Sequence, residues 1–196
     1  QRLWAVLVLP SIAFWDFVRE PDNRGPLLIL LGNSFVISLF YVMMMLHVFS
    51  NFTLILAGWL GIFPIFLFLY FIWTLVYYGI VHLIVNLSGQ EGYFAETYLM
   101  GQYSSLPFLI ANTISLPILL VGLPSVSLAN LSQLYSSPIF LIVSVLGAAA
   151  YLWGAVLLAL GLRERYRFST EKALIITFSV TLFIIVVGFV ARITMV

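Results

Sequence analysis

His82 and Asn86 stand four residues apart in an apolar run, so on a helix they share one face, a turn apart. Trp73, Tyr77 and Tyr78 precede them in the same run. Polar side chains are costly inside a bilayer, which makes them candidates for a binding site or for hydrogen bonds between helices. Both roles fit His82: an ionisable group in a buried polar site, or a side chain bonded to a neighbouring helix and orienting the bundle. Glu91 and Glu96 follow closely, then Tyr103, and Arg163 and Arg165 bring the opposite charge much further along the chain. An unpaired charge at membrane level is costly, so Glu96 is expected to pair with an arginine. Arg163 is the first choice, because it emerges directly from an apolar run. His82, Asn86, Glu91, Glu96, Tyr103, Arg163 and Arg165 are therefore expected to form one polar cluster, a candidate binding site.

The same inventory argues against catalysis. There are no cysteines, which removes disulfides, thiolate metal sites and cysteine nucleophiles. The two histidines, His47 and His82, would lie on opposite sides of a membrane and cannot share an ion, and no His-Glu-x-x-His pattern occurs. A Gly-x-Ser-x-Gly elbow, a phosphate-binding loop and a pair of carboxylates within an apolar run are also missing from the sequence. No enzyme activity, catalytic residue, metal or cofactor is expected. The net charge of +1 implies no nucleic-acid partner.

What positions these residues is a membrane. The chain of 196 residues is 63% hydrophobic and 8% charged, where a soluble domain is about a quarter charged. No Asp, Glu, Lys or Arg occurs from Gly25 to Gln90, from Thr97 to Leu162, or from Ala173 to Ala191. A helical span needs about 20 apolar residues, so the two long gaps hold two spans each and the last holds one. The expected fold is an all-α membrane protein, a five-transmembrane-helix bundle forming a single membrane domain over residues 1–196. Its spans lie near 26–48, 63–87, 97–121, 139–162 and 172–194. Ser50-Asn51-Phe52-Thr53 and the stretch from Gly122 to Pro138 are the expected turns, and Gly58, Gly61 and Pro64 suggest an interfacial or broken segment over Leu54 to Ile62 rather than more helix. Ser169-Thr170-Glu171 reads as the start of the fifth helix.

Residues 1–20 are too short of apolar length to cross, and Pro10 interrupts them. Trp4, Phe14 and Trp15 favour the headgroup region, so an N-terminal interfacial helix is expected there. The run from Leu3 to Trp15 meets Asp16 without a small-residue cleavage site, so no cleavable signal peptide is expected.

Five spans place seven of the eight basic residues on one face: Arg2, Arg19, Arg24, Arg163, Arg165, Arg167 and Lys172, with Arg192 alone opposite. The positive-inside rule then makes the N-terminus cytoplasmic and the C-terminus outside. Asn51-Phe52-Thr53 and Asn130-Leu131-Ser132 match the glycosylation acceptor pattern on the outer face; Asn86-Leu87-Ser88 matches it on the cytoplasmic side. In the third span Pro107, Asn112, Thr113 and Pro117 imply a kinked helix with polar groups at mid-membrane, a transporter feature that single kinks in ordinary bundles also share. Gly147, Ala150, Gly154 and Gly161 line one face of the fourth span, suited to close helix packing within the chain or to a homodimer.

Several of these stretches resemble one family, the Yip domain. Trp73 to His82 followed by Ser88-Gly-Gln-Glu-Gly-Tyr-Phe-Ala-Glu96 looks like its second span and cytoplasmic turn. Gly101-Gln-Tyr-Ser-Ser-Leu-Pro107 is similar to the Gly-Tyr-Ser-x-x-Pro entry of its third span: Tyr103, Ser104 and Pro107 match, and Gln102 replaces the glycine. Tyr151-Leu-Trp-Gly154 through Gly161 to Ala173 resembles the end of the fourth span and the loop into the fifth, and Phe17-Val-Arg-Glu-Pro-Asp22 the segment before the membrane. The resemblance implies five spans with a cytoplasmic N-terminus. It further implies a place in vesicle traffic and a Rab-type GTPase partner, as in eukaryotic members. The family's N-terminal Asp-Leu-Tyr-Gly-Pro motif does not occur in this sequence, a short form that looks more like prokaryotic members.

The expected function is a membrane interaction or organising protein linked to traffic or lipid organisation, meeting membrane lipids and a protein partner through its basic face. The alternative is a solute or lipid carrier or channel using the kinked third span and the His82 region. The expected location is the cell membrane for a prokaryotic chain, or the endoplasmic reticulum and Golgi for a eukaryotic one.

Overall fold

Inside a bilayer no water satisfies the backbone, so long apolar runs must bond their own amide groups, and helices do so. A computed structural model describes residues 2–49, 52–122 and 137–194, and these form helices and turns only. A short N-terminal pair, α1 (Arg2–Val8) and α2 (Pro10–Arg19), precedes α3 (Arg24–Phe49) and α4 (Phe52–Leu87). Next come α5 (Phe94–Ser104), α6 (Leu106–Gly122), α7 (Pro138–Tyr166) and α8 (Thr170–Thr194). Four stretches, Arg24–Met43, Gly58–Leu87, Phe94–Val121 and Pro138–Tyr166, are long and apolar enough to cross a membrane. The chain is thus an all-helical membrane protein. Helix α8 is 25 residues long, and the side chains of its outer part lie outside those described.

The break expected over Leu54 to Ile62 is replaced by continuous helix, since α4 runs from Phe52 through Gly58, Gly61 and Pro64 to Leu87. Glycine and proline are tolerated within a span because neighbouring helices and small local adjustments re-satisfy the backbone groups they free. The third span is broken instead. It divides at Ser105, one residue before Leu106-Pro107, because Pro107 has no N–H to continue the ladder. Ser50, Asn51 and residues 123–136, where turns were expected, lie outside the described residues. So do the acceptor sequences at Asn51 and Asn130 and the side chain of His47.

The charged segments meet at one end. The Arg163 guanidinium donates to Ser11 Oγ of α2 at 3.0 Å, Arg165 reaches Glu96, and Lys172 Nζ donates to the Ser88 carbonyl at 3.4 Å. Phe14, expected among the headgroups, lies instead in the core at this end, fully buried. Its ring stands 3.2 Å from where a Cβ on Gly161 would be. The helix pair thus packs by one apolar side against the bundle. Trp4 and Trp15 remain on the outer side, 71% and 47% exposed.

Close approach of α7 to the broken span depends on Gly154, where a Cβ would stand 2.8 Å from the Ser104 carbonyl oxygen. Gly154 and Gly161 are therefore occupied by contacts within the chain, whereas a Cβ on Gly147 would meet nothing within 4 Å. Gly154→Val should destabilise the detergent-solubilised protein by about 1–3 kcal/mol, the usual cost of overpacking. Gly147→Val should leave its thermal unfolding unchanged. Equal effects would show that this packing is misplaced.

Candidate functional site

Helix α5 starts at Phe94 after a short segment that follows α4, and this brings the first turn of α5 alongside the last turns of α4. His82 Nδ1 lies 3.0 Å from Thr97 Oγ1, and the Thr97 hydroxyl lies 2.7 Å from the hydroxyl of Tyr166 at the end of α7. Asn86 Nδ2 lies 3.1 Å from His82 Nε2. Both ring nitrogens of His82 thus face a hydrogen-bonding partner, Thr97 on one side and Asn86 on the other. Thr97 is fully buried, and the His82 ring meets Phe94 edge to face at 5.8 Å. Three helices are thus joined by one chain of hydrogen bonds.

Beside this chain stands an ion pair. Arg165 donates to Glu96 Oε2 from Nε at 2.8 Å and from Nη2 at 2.7 Å. The Arg165 guanidinium also lies 5.6 Å from the centre of the Tyr166 ring, tying the charged pair to that chain. The loop crosses Tyr166 so closely that a Cβ on Gly92 would stand 2.5 Å from its ring.

The expected cluster is therefore real in part and divided. His82, Asn86, Glu96 and Arg165 come together. Glu96 finds an arginine, but it is Arg165; Arg163 pairs with Glu164 and donates to Ser11. Glu91 is exposed in the loop with no partner among the described residues. Tyr103 belongs to a second site, where its hydroxyl donates to Asp22 Oδ2 at 2.9 Å and its ring meets Phe17 at 5.4 Å.

Asp22 caps α3, accepting from the backbone N–H groups of Arg24 at 3.0 Å and Gly25 at 3.4 Å. A Cβ on Gly25 would stand 2.3 Å from the Tyr103 oxygen, so only glycine admits that hydroxyl. The Arg24 N–H first, and then the Tyr103 hydroxyl, hold the Asp22 carboxyl below its ordinary range.

Thr97, Tyr166 and Asp22 were not singled out by the sequence reading. Mid-span, Thr113 donates back to the Leu109 carbonyl at 2.8 Å, while Asn112 borders a gap with Ile37 and Phe40 and its buried amide nitrogen has no partner among the described residues. No group of three metal-ligating side chains occurs among the described residues. The arrangement can bind and orient, and it fastens loop to bundle.

The family model for the Yip1 domain matches residues 4–192, nearly the whole chain, and the chain belongs to that family. No curated protein and no solved structure matches it.

A double-mutant cycle on Glu96→Gln and Arg165→Gln should show a coupling of about 0.5–1 kcal/mol, the scale of a partly exposed pair. The cycle pairing Glu96→Gln with Arg163→Gln should be additive. Because the folded carboxyl of Asp22 titrates below the unfolded one, its stabilisation is complete above about pH 4. It is then lost as pH falls through the folded value. Unfolding temperatures measured from neutral pH downward should drop more steeply below about pH 4 for the native chain than for Asp22→Asn.

Proposed function

We propose that this Yip1-family chain is a five-span organiser of the cytoplasmic headgroup layer, with its N-terminus cytoplasmic and its C-terminus outside. The observation that carries this reading is an apolar stripe on the outer side of the N-terminal helix pair. Trp4, Val8, Ile12 and Trp15 recur there at helical spacing and are all exposed, while the opposite side is buried against the bundle. Arg19 stands at its end with its guanidinium 3.7 Å from the centre of the Trp15 ring. Apolar bodies with tryptophan and arginine at the rim suit shallow insertion at the membrane surface.

A helix pair bonded to the span ends and laid into one leaflet displaces headgroups beside the protein. That supports a role in lipid organisation or membrane traffic, at the cell membrane of a prokaryote or the endoplasmic reticulum and Golgi of a eukaryote. Arg24, Arg167 and Lys172, exposed at the same end, offer anionic lipids or a protein partner a point of contact. A Rab-type GTPase is a partner on family grounds alone. A second reading, passage of a solute or lipid, draws on the helix break at Ser105.

The test uses the full chain in proteoliposomes. Lipids brominated near the headgroup should quench Trp4 and Trp15 more than lipids brominated at the chain ends, and Trp4→Phe with Trp15→Phe should remove that difference. Single cysteines at Gln90 and Ser169 should label from the cytoplasmic side, and one at Asn130 from the other. Quenching independent of bromine depth would refute the interfacial reading. Labelling of Asn130 and Ser169 from one side would refute five spans.

A further inference from the structure

A cavity of about 160 Å³ lies between α4 and α7, floored by the break at Ser105 and closed on one side by Thr181 of α8. It takes in α4 from Tyr78 back to Tyr70, about 13 to 25 Å from the end of that helix at roughly 1.5 Å per residue. This is the depth of the hydrocarbon layer. Its inner wall is buried, but Trp73 and Tyr151 at its edge are about half exposed, so it opens sideways toward lipid. An apolar cavity of about 150 Å³ is enough to take up a benzene-sized ligand.

The hydrogen-bond inventory of the wall specifies what can enter. Thr181 donates to the Thr177 carbonyl, so the Tyr77 hydroxyl, 2.9 Å away, donates to Thr181. Tyr78 donates to the Gly101 carbonyl at 2.6 Å. Thr74 donates to the Phe71 carbonyl, and Ser104 and Ser105 donate to carbonyls of their own helix turn. These donors are all committed, while the tyrosine oxygens keep lone pairs free. Tyr151 is different. Its ring packs edge to face on Phe108 at 5.0 Å, and its hydroxyl has no hydrogen-bond partner among the described residues. The Tyr70 hydroxyl pairs with Ser105, so the wall offers spare acceptors, the Tyr151 hydroxyl as a spare donor and, at the lipid edge, the Trp73 indole N–H; it carries no charged side chain.

We propose that this cavity is a binding site for an uncharged membrane lipid with an alcohol head, whose hydroxyl donates to a tyrosine oxygen and accepts from Tyr151. A head that only accepts would leave the wall's acceptors unused, and an ionic head would enter without a counter-charge. The hydrocarbon part of the ligand passes out between Trp73 and Tyr151 into the bilayer.

The probe is a long-chain alcohol bearing a photoactivatable diazirine near its hydroxyl, added to the full chain in lipid nanodiscs. Three comparators carry the same chain with a methyl ether, a carboxylate or a trimethylammonium head. The alcohol should crosslink to peptides containing Tyr77 or Tyr151, and unlabelled alcohol should compete where the methyl ether does not. Tyr151→Phe loses no hydrogen bond of the fold, so its unfolding temperature should be unchanged. Its half-saturating probe concentration should rise about three- to tenfold, the worth of one hydrogen bond. Ala150→Leu, which fills the cavity, should abolish the crosslink. The proposal is overturned if the methyl ether or an ionic probe labels as well as the alcohol, if labelling falls elsewhere, or if both variants label like the native chain.

Discussion

Much of the bundle depends on how the broken third span keeps its backbone satisfied. Pro107 cannot donate, so the Tyr103 carbonyl four residues before it loses its helical N–H and the span divides into α5 and α6, with the turn before the break braced from outside. The Gly101 carbonyl accepts from Tyr78, from the Ser104 hydroxyl and from the Ser105 N–H. The Ser104 carbonyl is covered by α7 at Gly154. Once α5 is held in this way, Thr97 faces His82, Glu96 faces Arg165, and a gap is left beside the break where α4 and α7 diverge.

The two levels of the protein are held together differently. Between helices in lipid, apolar burial supplies little drive, and close packing and hydrogen bonds take its place. Toward the middle of the bundle the work falls to small residues and hydroxyls: Gly154 against a carbonyl, Tyr77 against Thr181, Tyr78 against Gly101. At the charged end water is near, and large side chains such as Phe14, Met100 and Leu162 bury one another in the usual manner beneath α2. The Glu96–Arg165 pair and the His82–Thr97–Tyr166 chain lie over that core.

The apolar spans were legible because charge is so scarce that its gaps mark them. The interruption near Pro107 was legible from its missing N–H, whereas Pro64 and Pro117, which lack it too, lie inside continuous helices. Gly58, Gly61 and Pro64 misled because a span re-satisfies the backbone groups that such residues free. Ranking Arg163 above Arg165 weighed depth and ignored rotation. Two residues turn a helix by about 200°, so Arg163 faces Ser11 of α2 and Arg165 faces Glu96. Tyr103 is six residues past Thr97 on α5, about a third of a turn away in projection, and so it meets Asp22 rather than His82. The stripe Tyr70, Thr74, Tyr77 and Tyr78 stood in the sequence at helical spacing. Nothing there showed that Tyr151 would close the other side.

The contact between the N-terminal pair and α7 constrains the order in which the chain can be completed. Ser11 and Arg163 are 152 positions apart, so a ribosome releases α2 long before the helix that covers it exists. In that interval Phe17 can find Tyr103 of α5, but Phe14 lacks the helix that carries Gly161, and the membrane surface offers it apolar shelter. Residues made early are then among the last to reach all their native neighbours. When α7 arrives it covers the Phe14 side of the N-terminal pair, leaving the tryptophan side behind.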